Sequence, residues 1–382
     1  MSRTLVYFGH VPAQGAGSGI IVYRHLRRFQ ENGWNVRVVA DWGQSTDCCD
    51  QHGWPVMTLS HRKPHWPPFH PDNRLSRRLR TWLWAGEVRT WLGASKPDAV
   101  CTYLSAFSDT LSLAAVGFAR RYGLPLATIV HDDTRCFAKN EDEGRRAHAR
   151  RQWILERSTK GWFASPALAQ TFRLNDSIVG LLPPIPEGGG IPASVRDRHE
   201  DTPLLVYAGS HWAQQIPLLC DLAPVVTAGG GSLLAVMKNE GGVADTLQAG
   251  GVAWRAPFPK NTDALAFFRE HAAAMVVSYS RESGEMPWAR TSFPSKLIEY
   301  CHLGLPLMIV AQEDTAVVQW ARARRFPDVF LPGDTDGIRT FVERLKDPAF
   351  RENRAELALS FARGEFDPVR IQNELERSLG GA

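Results

Sequence analysis

The chain has 382 residues, beyond the size at which one hydrophobic core keeps growing, so two domains are expected. With 44% hydrophobic and 22% charged residues it reads as globular, and a net charge of +4 is too mild for a nucleic-acid binder. Six cysteines (Cys48, Cys49, Cys101, Cys136, Cys220 and Cys301) without a C-x-x-C pair argue against a disulfide framework or a zinc site and for a reducing compartment.

The sequence runs at once into a strand-like stretch, Thr4–Phe8, with no basic n-region or apolar h-region before it. No apolar run of about 18 residues follows, so neither a signal peptide nor a membrane span is expected, and the expected location is cytoplasmic. Short β-branched, apolar runs then alternate with longer helical patterns, the signature of βα units around parallel sheets. In the first half the strands fall at Thr4–Phe8, Asn35–Ala40, Ala99–Tyr103, Leu126–Val130, Gly161–Ser165 and Ser177–Leu182, with helices at Ile20–Asn32 and Leu111–Tyr122. The pattern restarts with strands at Leu204–Ala208, Ser232–Met237, Ala274–Ser278 and Leu307–Val310. Helices are expected near Gln215–Val226, Asp263–His271, Ser295–His302 and Asp314–Arg324, and mainly helix from Thr335 onward. Between the halves, prolines and glycines crowd Leu182–Pro192, which cannot continue a helix or central strand and reads as a hinge. Two α/β lobes on such a hinge favour a cleft between them, with ligands beyond the carboxyl ends of the strands.

Three segments carry candidate chemistry. A glycine-rich loop, Phe8–Ile20, follows the first strand and precedes a helix. Glycines there let backbone N–H groups approach an anion, although a loop without ligand is the plainer reading. Gly15, Gly17 and Gly19 do not spell the dinucleotide G-x-G-x-x-G fingerprint; with Asp41 at the end of the second strand they leave a nicotinamide-dependent oxidoreductase as an alternative. His131, followed by Asp132 and Asp133, sits where a parallel strand ends and suits a sugar hydroxyl or phosphate oxygen; equally, it suits a structural cap. In Thr291–Val310, Pro294 and Ser295 open a short helix bearing Lys296 and Glu299 on one face, and Gly304 ends it. Lys296 suits a phosphate and Glu299 a vicinal diol such as a ribose, against the plainer reading of two exposed surface charges.

At this segment the chain resembles the retaining glycosyltransferases of family 4 in the GT-B superfamily. Ser292–Pro306 is similar to the family block Pro-Ser-Lys-x-x-Glu-Tyr-x-x-x-Gly-x-Pro. Gly15–Gly19 with Arg24, His25 and Leu26, the Asn32–Val36 strand entry, His131 with Asp132, Ala164–Ala169 and Tyr207–Ser210 match the family scheme in order along the chain. The fold that the resemblance implies is α/β, GT-B, two Rossmann-like lobes with parallel sheets facing across a cleft. The lobes would span 1–182 (acceptor side) and 201–335 (nucleotide-sugar side), with a hinge at 183–200 and C-terminal helices at 336–382, part of them packing back on the first lobe. Sugar transfer from a UDP- or GDP-sugar to a saccharide, lipid-linked or small acceptor would follow, with retention, no other cofactor and no metal, in cell envelope polysaccharide biosynthesis.

On the same resemblance Glu299 holds the donor ribose and Lys296 lies near the diphosphate. Gly17 and Gly19 face the phosphate and acceptor, and His131 contacts the transferred sugar. Ser295 and Gly209 belong to the same donor set. The family's second glutamate would stand eight positions before Glu299, where this chain has Thr291; Glu282 and Glu285 are the substitutes at hand. Lys238 and Arg290 are the replacements for the basic residues usual in the second lobe. These departures keep a catalytically silent, sugar-nucleotide-binding or scaffold protein of the same fold as the second reading.

Finally, Trp54, Trp66, Trp82, Trp84 and Trp91 are interleaved with Arg62, Lys63, Arg74, Arg77, Arg78, Arg80 and Arg89. Such a mixture over 54–92 suits an anionic membrane surface. The competing expectation is a helix that buries Leu79, Leu83 and its tryptophans and leaves the arginines in water. Single-stranded RNA ranks third, since no RNA-binding motif accompanies these residues, and nucleic acid is not an expected partner.

Overall fold

A computed structural model describes residues 3–14, 18–41, 44–59, 73–104, 109–186, 201–209 and 212–380. The chain forms two compact units, Met1–Pro184 with Pro368–Ala382, and Ile185–Asp367.

In the first unit the elements follow as β1 (Arg3–Phe8), α1 (Ser18–Glu31), β2 (Trp34–Asp41), α2 (Asp47–His52), β3 (Val56–Leu59), α3 (Arg74–Leu92) and β4 (Ala99–Leu104). They continue with α4 (Thr110–Tyr122), β5 (Leu126–Val130), α5 (Glu141–Leu155), β6 (Lys160–Phe163), α6 (Pro166–Gln170) and β7 (Val179–Leu181). The strands pair in the order β3-β2-β1-β4-β5-β6-β7, each described ladder being parallel. A strand covered on both faces needs an unbroken apolar run, and Leu5–Phe8, Ala99–Leu104 and Leu126–Val130 are buried at every position. Helix starts are written locally. Asn73 caps α3 by accepting from the Ser76 N–H, and Asn140 caps α5, whose first turn carries Glu141, Asp142 and Glu143 toward the positive helix end.

Helix α3 turns Trp84, Ala85, Val88 and Leu92 into the core formed with α4. The two helices approach so closely that a Cβ on Gly117 would stand 2.6 Å from Thr81 Cβ. The expectation that α3 buries Leu79 and its tryptophans is therefore half met: Trp84 is buried, whereas Trp82 and Leu79 lie on the opposite side and remain exposed.

The second unit comprises β8 (Leu204–Ala208), α7 (Gln215–Ala228), β9 (Ser232–Val236), α8 (Val243–Ala249), β10 (Ala253–Arg255), α9 (Asn261–His271) and β11 (Ala274–Ser278). It ends with α10 (Ser295–Cys301), β12 (Leu307–Val310), α11 (Ala316–Ala323), β13 (Val329–Phe330), α12 (Thr335–Arg344) and α13 (Pro348–Arg363). Its sheet order, β10-β9-β8-β11-β12-β13, repeats the winding of the first. Its core gathers Leu205, Tyr207, Leu219, Leu222, Met308 and Val342.

Helix α14 (Pro368–Arg377) belongs to the first unit. Glu376 accepts from Asn32 Nδ2 (2.7 Å) and Trp34 Nε1 (2.9 Å), Gln372 Oε1 meets His25 Nδ1 at 2.9 Å, and Trp162 Nε1 donates to Ser378.

The strands missing from the sequence reading, β3, β10 and β13, all lie at a sheet edge, are two to four residues long and are only partly buried. The strand expected at Gly161–Ser165 stops at Phe163, because Ser165 turns to cap α6 by accepting from Leu168 N–H. Most of the expected hinge, 187–200, lies outside the described residues, as do Gly15, Gly17, Ser210 and His211.

Candidate functional site

Both sheets reverse their strand order once, beside β1 and β4 in the first unit and beside β8 and β11 in the second. Connections there leave in opposite directions and open a crevice at the strand carboxyl ends. Some of the candidate residues stand at or next to these two places.

In the first unit three rings stand in a row across the ends of adjacent strands. His10 follows β1, Tyr103 is near the end of β4 and His131 follows β5. His10 meets Tyr103 edge-on at 5.1 Å between centroids, and Tyr103 meets His131 at 5.6 Å. His131 is buried, and its Nε2 has no hydrogen-bond partner among the described residues. Burial, and then the charge on His25, hold it down at about 3, so it stays neutral near pH 7 and can offer or accept one hydrogen bond. The backbone beside it is held by Arg151, whose guanidinium donates to the Asp132 carbonyl (3.3 Å) and to the buried Asp109 (3.1 Å). Asp133 is engaged by the Arg135 fork and caps the following turn.

Beside this row lies a hollow of about 720 Å³ lined by His10, Val11, Gln14, Gly19, Gln44 and Asp47, among others. Gln44 Oε1 accepts from Val11 N–H at 2.6 Å, which ties the loop after β1 to the loop after β2. Ala13 N–H donates to Gly19 O, and a Cβ on Gly19 would stand only 3.2 Å from Ala13 Cβ. Gly19 thus permits the close approach of Ala13 to the start of α1.

In the second unit the geometry centres on Lys296, half-buried at the start of α10. Its Nζ lies 3.0 Å from Tyr207 Oη, which in turn donates to Gln215 Oε1 at 3.0 Å. Gln215 also accepts from Trp212 N–H and donates to the Ser278 carbonyl at 2.8 Å, so it joins the end of β8 to the end of β11. Gly209 closes the arrangement: its φ is +126°, and a Cβ there would stand 2.1 Å from Lys296 Cε. Ser295 and Glu299 share α10 with Lys296 and are half-buried, and Tyr300 Oη donates to Ala208 O, fixing the helix against β8.

The other candidates lie elsewhere in the unit's contacts. Lys238 is exposed after β9, with Glu240 Oε1 3.8 Å away. Arg290 Nε donates to Asp314 at 2.8 Å, and Ser283 donates to the same carboxylate oxygen. Glu282 and Glu285 are both exposed in one turn, where Glu285 accepts from the Glu282 N–H. Thr291 Oγ1 donates to the Trp288 carbonyl at 3.4 Å. Among the described residues no cluster of three acidic, histidine or cysteine side chains is arranged to hold a metal ion.

Sequence reasoning missed His10, Tyr103, Tyr207, Gln215 and the Asp109–Arg151 pair. Tyr207 stood inside the quoted Tyr207–Ser210 stretch and could have been found there. Nothing local signalled that Gln215 would reach the Ser278 carbonyl, 63 positions away, or that Asp109 would meet Arg151, 42 positions away.

Residues 15–174, within the first unit, match the model of Glycosyltransferase Family 4, and the chain carries a domain of that family. Among curated proteins, none matches the chain by sequence. Among solved structures it is similar to HepE of Anabaena, solved with UDP and glucose: TM-score 0.66, 12% identity, 99% of each chain covered. It is also similar to a glycosyltransferase of Rickettsia africae, with TM-score 0.68 and 10% identity over 99% of this chain and 98% of the other. A trehalose-6-phosphate protein of E. coli, bound with UDP-2-fluoro glucose, aligns with TM-score 0.61 and 12% identity over 99% of each chain. The two parallel sheets are those of the GT-B fold.

Proposed function

We propose that the protein transfers a sugar from a nucleoside diphosphate-sugar, in the first place a UDP-sugar, to a hydroxyl-bearing acceptor, with retention and without a metal. The observation that carries this reading is the Lys296–Tyr207–Gln215 chain at the strand reversal of the second unit, closed by Gly209. A cation held at a fixed point against bare backbone suits a departing diphosphate, whose charge grows as the glycosidic bond breaks. Glu299, three residues on, is the candidate for the ribose diol. The family domain in the first unit supports the transferase class, and HepE, solved with UDP-glucose, supports a uridine donor.

The hollow beside His10, to which Gln14, Gln44 and Asp47 contribute polar side chains, suits a hydroxyl-bearing acceptor, and neutral His131 suits a sugar hydroxyl. The acceptor proton would pass to the departing phosphate oxygen on the same face of the sugar, so no side chain is nominated as nucleophile. A second reading, donor binding without turnover, rests on Thr291, whose hydroxyl is turned to the Trp288 carbonyl where the family's second glutamate would stand.

Titration of the purified protein with UDP, GDP, ADP and their sugar conjugates, followed by heat or tryptophan fluorescence, tests the site. Micromolar binding of UDP and its conjugates, lost about a hundredfold in Glu299→Ala and indifferent to a chelator, is expected. Equal binding by Glu299→Ala would overturn the assignment. Binding without any transfer or hydrolysis across many acceptors would favour the second reading.

A further inference from the structure

Three of the large apolar side chains that the structure leaves in water belong to one helix. Leu75, Leu79 and Trp82 of α3 are 76%, 45% and 55% exposed. Their spacing, i, i+4 and i+7, puts them on one face, opposite the buried face of Trp84, Val88 and Leu92. Charges surround this stripe with one sign. Helix α3 carries five arginines and one glutamate, and Arg74 and Arg78 are exposed beside the stripe. From α4, exposed Arg121 lays its guanidinium 4.8 Å from the Trp82 ring centroid and donates to the Trp82 carbonyl at 3.0 Å. Trp82 is thereby held at the surface with a cation over its ring.

We infer that this face of α3 docks the protein on an anionic lipid bilayer surface. Leu75, Leu79 and Trp82 enter the interfacial layer, and Arg74, Arg78 and Arg121 meet the lipid phosphates. A tryptophan whose ring is half wet suits the headgroup level, and arginines bind phosphate by a bidentate fork. A second copy of the chain fits this face poorly. Three side chains cover far less than the roughly 800 Å² per partner of a stable dimer, and a two-fold contact would set arginines against arginines. Neither Lys296 nor Glu299 takes part, so this inference stands or falls apart from the donor site.

Sedimentation of the full chain with vesicles of phosphatidylcholine, alone or mixed with phosphatidylglycerol, tests it. Binding to the anionic vesicles only, weakened by salt, is expected. The triple variant Leu75→Ser, Leu79→Ser, Trp82→Ser should lose at least about tenfold in vesicle affinity, and Arg74→Glu with Arg78→Glu about as much. The charge variant decides the matter should the triple variant misfold, with circular dichroism and the nucleotide titration as folding controls. Absence of binding, equal binding to neutral vesicles, or undiminished binding by the charge variant overturns the proposal. A dimer seen by light scattering that the triple variant converts to monomer, without vesicle binding, replaces it with a contact between copies.

Discussion

The two units wind their sheets alike and set some candidate residues at or next to the same topological place, yet they present them in opposite ways. The first unit buries its candidates: His131 and His25 are shielded from water, and burial keeps both rings neutral. The second unit leaves its candidates at least partly wet and fixes them by hydrogen bonds, Lys296 through Tyr207 and Arg290 through Asp314. One topology therefore offers a neutral rim and a charged rim, and the choice between them lies in the few residues after each strand. The neutral rim suits hydroxyl groups, which need directional hydrogen bonds; the charged rim suits phosphates, which need cations.

Acid should break this symmetry most strongly. His25 is held at about 4 by burial in the folded first unit, against 6.5 when free. Between these values the unfolded chain binds the extra proton, so stability rises with pH there and falls on acidification. Taking pH from 6.5 to 4 should cost the first unit on the order of 3 kcal/mol, read by hydrogen exchange of α1 and β5. His131, whose charge would repel His25, adds to the loss with less than its full separate effect. A flat profile in α1 and β5 would mean that the first rim is not dry.

Gly209→Ala probes the charged rim and ranks next. The added methyl meets Lys296 Cε and occupies a φ of +126°, a combination costing about 1–3 kcal/mol in strain alone. Nucleotide affinity should fall more than about tenfold as the lysine is displaced, which calorimetry would register. Unchanged affinity would show that Lys296 need not sit where Tyr207 holds it. Tyr207→Phe is the milder cut. It removes the hydroxyl from Lys296 while Trp212 N–H still serves Gln215, so a loss of about 1 kcal/mol in donor affinity, a few-fold in Kd, is expected.

The same contrast explains what was legible in the sequence. Central strands such as Leu126–Val130 and Ala274–Ser278 announced themselves to the residue, because burial on both faces demands an unbroken apolar run. The edge strands β3, β10 and β13 carry no such demand and left no run to read. The Lys296 segment was legible because helix start, lysine, glutamate and terminating glycine all fall between Ser295 and Gly304. The row His10–Tyr103–His131 was not: its members stand at the ends of three strands far apart in the sequence, and only the parallel registers of β1, β4 and β5 bring them together. Residues 54–92 were half legible. Their composition pointed to water and lipid alike, and only the helical phase of α3 separates Trp84, which is core, from Trp82, which is surface.

The return of α14 to the first unit has a consequence for synthesis. Asn32, Trp34 and His25 find their partners Glu376 and Gln372 more than 340 residues downstream. A chain leaving the ribosome grows at about 5–20 residues per second, so these buried polar groups wait on the order of tens of seconds for their complement. The second unit has every one of its residues in hand before the first does. The domain that is begun first is thus the last to be completed, and a ribosome that stops just after Asp367 releases a finished second unit attached to an unfinished first.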